Sequence, residues 1–160
     1  EVPDATLDVY YGWESWVALE GENEFYHRME ALFDELKNDG VTVHGRVSHK
    51  ELAKAMKEIQ VWAYPTEFPE IHCITALKAQ EAGCYPVVTN VAALDETVKS
   101  GVKIKTQRIY SDEYKQQKFI DAVVDALKNN KQGVPVEGVD WSDVAQSWDR
   151  VIKEKLDDRN

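Results

Sequence analysis

Apolar and polar positions alternate along this chain in two distinct periods, and the switches between them predict its elements. ATLDVYYGW (5–13) reads as a strand running into Gly12, and residues 14–21 read as loop. From residue 22 to about 38, Phe25, Met29, Leu32, Phe33 and Leu36 form one apolar stripe at helical spacing, closed by Asp39-Gly40. VTVHGRV (41–47) is a second extended run. Ser48 with Glu51 three residues on is a capping-box signature, and Leu52, Met56 and Ile59 continue that helix. VWAYPT (61–66) is a third strand. A helix is expected from Ile71, with the small residues Thr75, Ala76, Ala79 and Ala82 suggesting that protein covers it on nearly every face. Gly83 stands where a left-handed cap is wanted, and YPVVTN (85–90) resumes the extended chain.

The later part follows the same rhythm. A short helix is expected over 92–99, Gly101 ends it, and VKIK (102–105) is a fifth extended run. Ser111-Asp112 opens a helix to about residue 129 with Phe119, Ile120, Val123, Val124 and Leu127 inward. Residues 130–139 read as a connector. Trp141, Val144, Ala145, Trp148, Val151 and Ile152 make the most regular helical stripe in the chain, and the two tryptophans are expected in the domain's own core, with packing on another domain as the alternative.

Strand and helix thus alternate, and the strands are short apolar runs without strict alternation. That pattern predicts an α/β fold: a Rossmann-like, doubly wound parallel sheet of about five strands with helices on both faces. At 160 residues one domain is the default. The chain opens on Glu1 in what reads as loop, which suggests a piece of a longer protein.

Composition narrows the chemistry. A net charge of −10 argues against nucleic acid or an anionic membrane as the main partner, because both need a cationic footprint. No apolar run approaches the ~18 residues of a membrane span, and no signal peptide is visible. Cys73 and Cys84 lack C-x-x-C spacing and read as small buried hydrophobes in a reducing compartment, hence a cytoplasmic protein. The histidines at 27, 44, 49 and 72 show no metal-ligand spacing, so no metal is expected. Neither G-x-G-x-x-G nor G-x-x-x-x-G-K-[ST] occurs, and no nucleophile elbow does.

Ligands of parallel sheets sit beyond the carboxyl ends of the strands. That rule collects Gly12 and Trp13, Gly45 to Val47, Thr66 to His72 and Thr89 to Val91. Among them Glu70 has the plainest chemistry. A carboxylate at a helix mouth either complements the helix dipole, worth about 0.3–1 kcal/mol, or accepts sugar hydroxyls while the amides behind it hold phosphate.

FPEIHCITALKAQEAGCYPVVTN (68–90) resembles the donor-binding motif of retaining, nucleotide-sugar-dependent glycosyltransferases of the GT-B fold (group 1 type). That motif pairs two glutamates, then a small-residue helix, Gly, a Pro-Val strand and a Glu-[TV]-Val turn. ALDETVKSG (93–101) is similar to the last part, and WSDVAQSWDRVI to the family's closing helix; VTVHGRVSHKELAKAMKEIQVWAYPT resembles the preceding strand–Gly–strand unit, and PDATLDVYYGW the strand that follows the domain's first βα unit. The resemblance implies the C-terminal, donor-binding half of a GT-B enzyme, metal-independent and without other cofactor, lacking its first βα unit and its N-terminal acceptor domain, and therefore inactive alone. It implies that Glu70, the candidate catalytic residue, orients the transferred sugar. Ile71, His72 and Cys73 match positions whose amides meet sugar and phosphate, and Arg46 and Val47 match the nucleobase wall. Gly12, Thr66, Phe68 and Asn90 complete the expected donor contacts.

One departure stands in the motif. The second glutamate, which grips the ribose, falls on Lys78. An ammonium only donates, whereas a carboxylate accepts from both ribose hydroxyls. Either the donor is held differently, or Lys78 reaches the pyrophosphate, or binding is weak; a surface pair with Glu81 is a further use for it. The rival expectation is a non-catalytic nucleotide-binding or structural α/β module.

Overall fold

The computed structural model describes residues 2–157, so the reading of Glu1 as loop lies outside the described residues. The chain forms two compact units that divide between Glu58 and Ile59.

In the first unit, β1 (Leu7–Val9) and β2 (Val41–Val43) pair in parallel, with Leu7 opposite Val41 and Val9 opposite Val43. Two helices connect them: α1 (Glu14–Glu20) and α2 (Glu24–Leu36), the second ending in a 3-10 turn at Lys37–Asp39. The side chain of Asn23 caps α2 by accepting the Tyr26 amide at 3.1 Å. α1 replaces the loop expected over 14–21. Its cue is Trp13, Trp16 and Val17 at helical spacing, closed by Gly21. The two tryptophans meet Phe25 and Tyr26 of α2 edge-on or tilted, with ring centroids 5.3 to 6.3 Å apart. These aromatic contacts link α1 to α2. α3 (His49–Met56) closes the unit, with Ser48 and Glu51 forming the expected capping box.

In the second unit, β3 (Val61–Tyr64), β4 (Tyr85–Thr89) and β5 (Val102–Ile104) form a parallel sheet in the order β3-β4-β5. The five expected strands are therefore present and parallel, hydrogen-bonded as a pair and a triplet. β4 shows why its sequence is continuously apolar. Val88 faces a cluster with Cys73, Ala76, Leu94 and Val98, built by α4 (Ile74–Glu81) and α5 (Leu94–Thr97). Val87, one residue earlier, faces Ile104, Ile109 and Phe119, the last from α6 (Glu113–Lys128). Successive side chains of a strand point to opposite faces, so both faces of β4 are covered.

α4 begins three residues later than the sequence suggests, at Ile74. The Glu70 carbonyl that would accept the Ile74 amide in a helix starting at Ile71 is instead taken by the Ala93 amide at 3.1 Å. Residues 70–73 consequently stay in the loop. The helix is covered on the side of Ala76, Ala79 and Gln80, while Ile74, Thr75 and Glu81 are exposed, so the expectation of burial on nearly every face fails. Its end is as expected: Gly83 has φ 89°, its amide bonds the Gln80 carbonyl at 3.0 Å, and the Cys84 amide bonds the Ala79 carbonyl at 2.9 Å. Those two bonds make a Schellman cap.

α7 (Trp141–Asp157) overturns one expectation. No residue in it is buried; Trp141 is 88% exposed and Trp148 63%. A helical stripe reports which face is apolar, not whether anything covers it.

Candidate functional site

The carboxyl ends of β3 and β4 are joined by an exchange between two threonines. The Thr66 amide donates to Thr89 Oγ1 at 3.1 Å, and that hydroxyl donates to the Thr66 carbonyl at 2.5 Å. The Thr66 hydroxyl accepts the Phe68 amide at 3.0 Å, folding the chain into a tight turn. The Glu70 amide bonds the Phe68 carbonyl at 2.9 Å, and the Glu70 carbonyl is held by Ala93. This places the Glu70 side chain over the sheet end, half-buried, where the Tyr64 phenol donates to Oε1 at 2.7 Å. Burial, and then this bond, push the Tyr64 phenol up from its ordinary pKa; a bond with the Thr66 hydroxyl acts the other way.

Thr66, Phe68 and Glu70 thus come together in one turn, followed by Cys73 at the N-cap of α4. Burial raises the Cys73 thiol, while the Ala76 and Thr75 amides of the first helical turn pull the other way. Phe68, Ile71 and His72 are exposed around this turn; Ile71 shows 94% of its surface. Glu67 leaves the group, since its Oε1 accepts the Tyr110 amide at 2.7 Å. Asn90, just past β4, carries a buried Oδ1 without a hydrogen-bond partner among the described residues. Lys78 lies in the second turn of α4, away from the helix mouth and half-buried; among the described residues it forms no ion pair with Glu81.

In the first unit, Gly12 and Arg46 are adjacent. A Cβ on Gly12 would lie 2.8 Å from the Arg46 Cβ and collide with the Glu14 carboxylate, so the chain passes there only as glycine. Arg46 is exposed and Val47 half-buried. Beyond the ends of β1 and β2 opens a concavity of about 540 Å³ lined by Tyr11, Gly12, Trp13, Glu14, Val17, Tyr26, Val43, His44 and Gly45. Tyr10 stacks on His44 with centroids 4.5 Å apart, and Asp8 bonds His44 Nε2 at 2.6 Å. Sequence reasoning missed most of this lining, including Tyr11, Glu14, Tyr26 and His44. The available signal was aromatic density in YYGWESW (10–16). It missed Tyr64 too, whose spacing to Glu70 has no motif meaning. Among the described residues no group of three His, Cys, Asp or Glu side chains is placed to hold a metal ion.

Residues 14–158 match the family described as Glycosyl transferases group 1. The chain belongs to this family. No curated protein gives a significant match to it. In this group 1 glycosyltransferase chain, the segment carrying Glu70, α4 and the Schellman cap lies wholly inside the matched residues, whereas β1 precedes them. Membership makes sugar transfer the chemistry against which the geometry is read.

Proposed function

We propose that this chain is the donor-binding domain of a retaining glycosyltransferase, taking its sugar from a nucleotide-sugar and working with an acceptor-binding domain. One observation carries the reading. Glu70 is fixed by its backbone and by the Tyr64 phenol at the end of a parallel sheet, beside the first turn of α4. A carboxylate there accepts sugar hydroxyls, and the positive end of a helix is suited to the anionic diphosphate. Catalysis in this reading is orientation of the donor plus stabilisation of the leaving phosphate by fixed amides, with Glu70 as neither base nor nucleophile. Ile71, His72 and Cys73 supply backbone contacts, and Thr66, Phe68 and Asn90 frame them. Taken by itself, the first unit offers Gly12, Arg46 and Val47 as nucleobase contacts, and the aromatic lining of the concavity beside Gly12 suits a flat base. Lys78 stands at the motif position of the ribose-gripping glutamate, and the use open to it as a cation is toward the pyrophosphate. The two buried thiols, Cys73 and Cys84, fit a reducing, cytoplasmic setting.

A second reading, a nucleotide-binding module without catalysis, draws its support from Lys78 in the place of the ribose-gripping glutamate. Thermal denaturation with nucleoside diphosphates and their sugars tests the proposal. Ligand at about 100 times its dissociation constant adds about 2.7 kcal/mol, several degrees for a chain this size. Stabilisation by a nucleotide-sugar, and transfer of its sugar when the acceptor domain is supplied, are expected. No shift with any donor sinks the reading, and binding without transfer favours the module.

A further inference from the structure

We infer that Tyr64 is a positioning residue for donor-sugar recognition: its phenol locks Glu70 Oε1 and so presents Oε2 to the sugar. The inference rests on the proposed role of Glu70 and adds a residue that no motif assigns.

Glu70 has two oxygens and a flexible side chain, and a glutamate fixed at the backbone alone still samples several rotamers. Here one oxygen is committed. The phenol donates to Oε1 at 2.7 Å, a short bond of the charge-assisted kind. The donor itself is rigidly placed. Tyr64 is the last residue of β3, its ring stacks on Trp62 at 5.2 Å with an interplanar angle of 23°, and both rings pack against the cluster of Ala76, Val88, Leu94 and Val98. The orientation of the carboxylate is thereby tied to the core of the second unit. A phenol donates one proton, and once it is used on Oε1 the remaining lone pairs of the carboxylate are left to accept. What binds there must donate hydrogen bonds, as hydroxyls do and phosphates do not. The motif refers the ribose to position 78, which leaves the hydroxyls of the transferred sugar for Glu70, so Tyr64 acts on the sugar.

That distinction sets the test. Dissociation constants are measured on the full chain by calorimetric titration with UDP, GDP and ADP, and with UDP-glucose, GDP-mannose and ADP-glucose. The quantity read is the gain in affinity that the sugar adds to its own nucleoside diphosphate. Tyr64→Phe keeps the Trp62 stack and removes only the hydroxyl. It is expected to lower that gain about fivefold, the worth of one hydrogen bond, with diphosphate binding unchanged. Glu70→Gln is expected to lower the gain as well, and the double variant to lose less than the product of the two single losses, as coupled residues do. If Glu70→Gln lowers the gain and Tyr64→Phe does not, Tyr64 is merely structural and the inference is overturned while the role of Glu70 stands. An equal loss of diphosphate and nucleotide-sugar affinity in Tyr64→Phe overturns it in the same way. If neither variant changes the gain, or no probe binds the unaltered chain, the proposed role of Glu70 fails and takes the inference with it.

Discussion

The hydroxyl of Thr89 closes on the backbone of Thr66 in both directions, accepting its amide and donating to its carbonyl. Both residues are buried, and the pair staples the turn that carries Glu70 to the end of the central strand. The Thr66 amide also reaches the Tyr64 carbonyl at 3.1 Å, so it is the enclosed Thr66 carbonyl that depends on the Thr89 hydroxyl. Thr89→Val keeps the shape and deletes both bonds. The expected cost is about 1–3 kcal/mol, read as a lower urea midpoint at unchanged m-value. Faster amide exchange at Thr66 and Phe68 should accompany it. An unchanged midpoint would mean that water replaces the hydroxyl.

Gln80 is a second staple, in the second unit and away from Glu70. Its side chain is fully buried and satisfied on all sides: Nε2 donates to the Ala76 and Thr97 carbonyls at 3.0 and 2.9 Å, and Oε1 accepts the Lys99 and Ser100 amides at 2.8 and 3.2 Å. It thus ties α4 to the chain that enters β5. Gln80→Leu fills similar volume but strands two amides, and should cost about 2–4 kcal/mol in denaturant unfolding. Gly101, at φ 88° in the same turn, leaves no room for a Cβ against the Pro86 carbonyl. Gly101→Ala should therefore destabilise by about 1–3 kcal/mol.

What the sequence disclosed and what it hid divide along physical lines. Local chemistry was legible: the Ser48–Glu51 box, the Gly83 cap and the Asp112 cap of α6 are written in a few adjacent residues. The continuous apolar run of β4 announced a strand covered on both faces, and Val87 and Val88 show it. Tertiary decisions were not legible. The start of α4 depends on Ala93 taking the Glu70 carbonyl, a bond between residues far apart in sequence. Exposure of Trp141 and Trp148 depends on what, if anything, lies over α7, which a periodicity of 3.6 cannot report. At the candidate site the motif singled out Glu70 but not Tyr64, because a hydrogen bond between a strand residue and a loop residue follows from how the turn folds.

The tyrosines should ionise in an order set by their neighbours. Burial, reinforced by the bond to Glu70, raises Tyr64, and burial likewise raises Tyr10 and Tyr26. Tyr114 is lowered by its bond with the Lys118 ammonium and the attraction of that charge. A raised folded pKa means that the folded state holds its proton more tightly than the unfolded chain does. The contribution of Tyr64 to stability is therefore complete below the ordinary tyrosine pKa of about 10 and is lost as pH rises above it. Ultraviolet titration of phenolate should lose a late-ionising group in Tyr64→Phe and an early one in Tyr114→Phe. Tyr64→Phe should also flatten the alkaline decline of the melting temperature.

Lys78 offers the sharpest contrast with Glu70. The ammonium cannot accept from ribose hydroxyls, and poorly paired hydroxyls cost about 1–3 kcal/mol, tenfold or so in affinity. Its half-buried place in the second turn of α4, with no ion pair to Glu81 among the described residues, leaves the amine uncommitted by any salt bridge. Lys78→Glu restores an acceptor at that position and should tighten binding of a nucleoside diphosphate by up to about tenfold. Glu70→Gln, by contrast, should leave the diphosphate alone and weaken only the nucleotide-sugar. The two variants are thus expected to act on opposite ends of the donor and in opposite directions, and calorimetric titration reads both. Weaker diphosphate binding in Lys78→Glu would assign the ammonium to the pyrophosphate, where a cation helps and a carboxylate repels. In that case the chain grips its donor by charge at the position where the family motif has a ribose-accepting carboxylate.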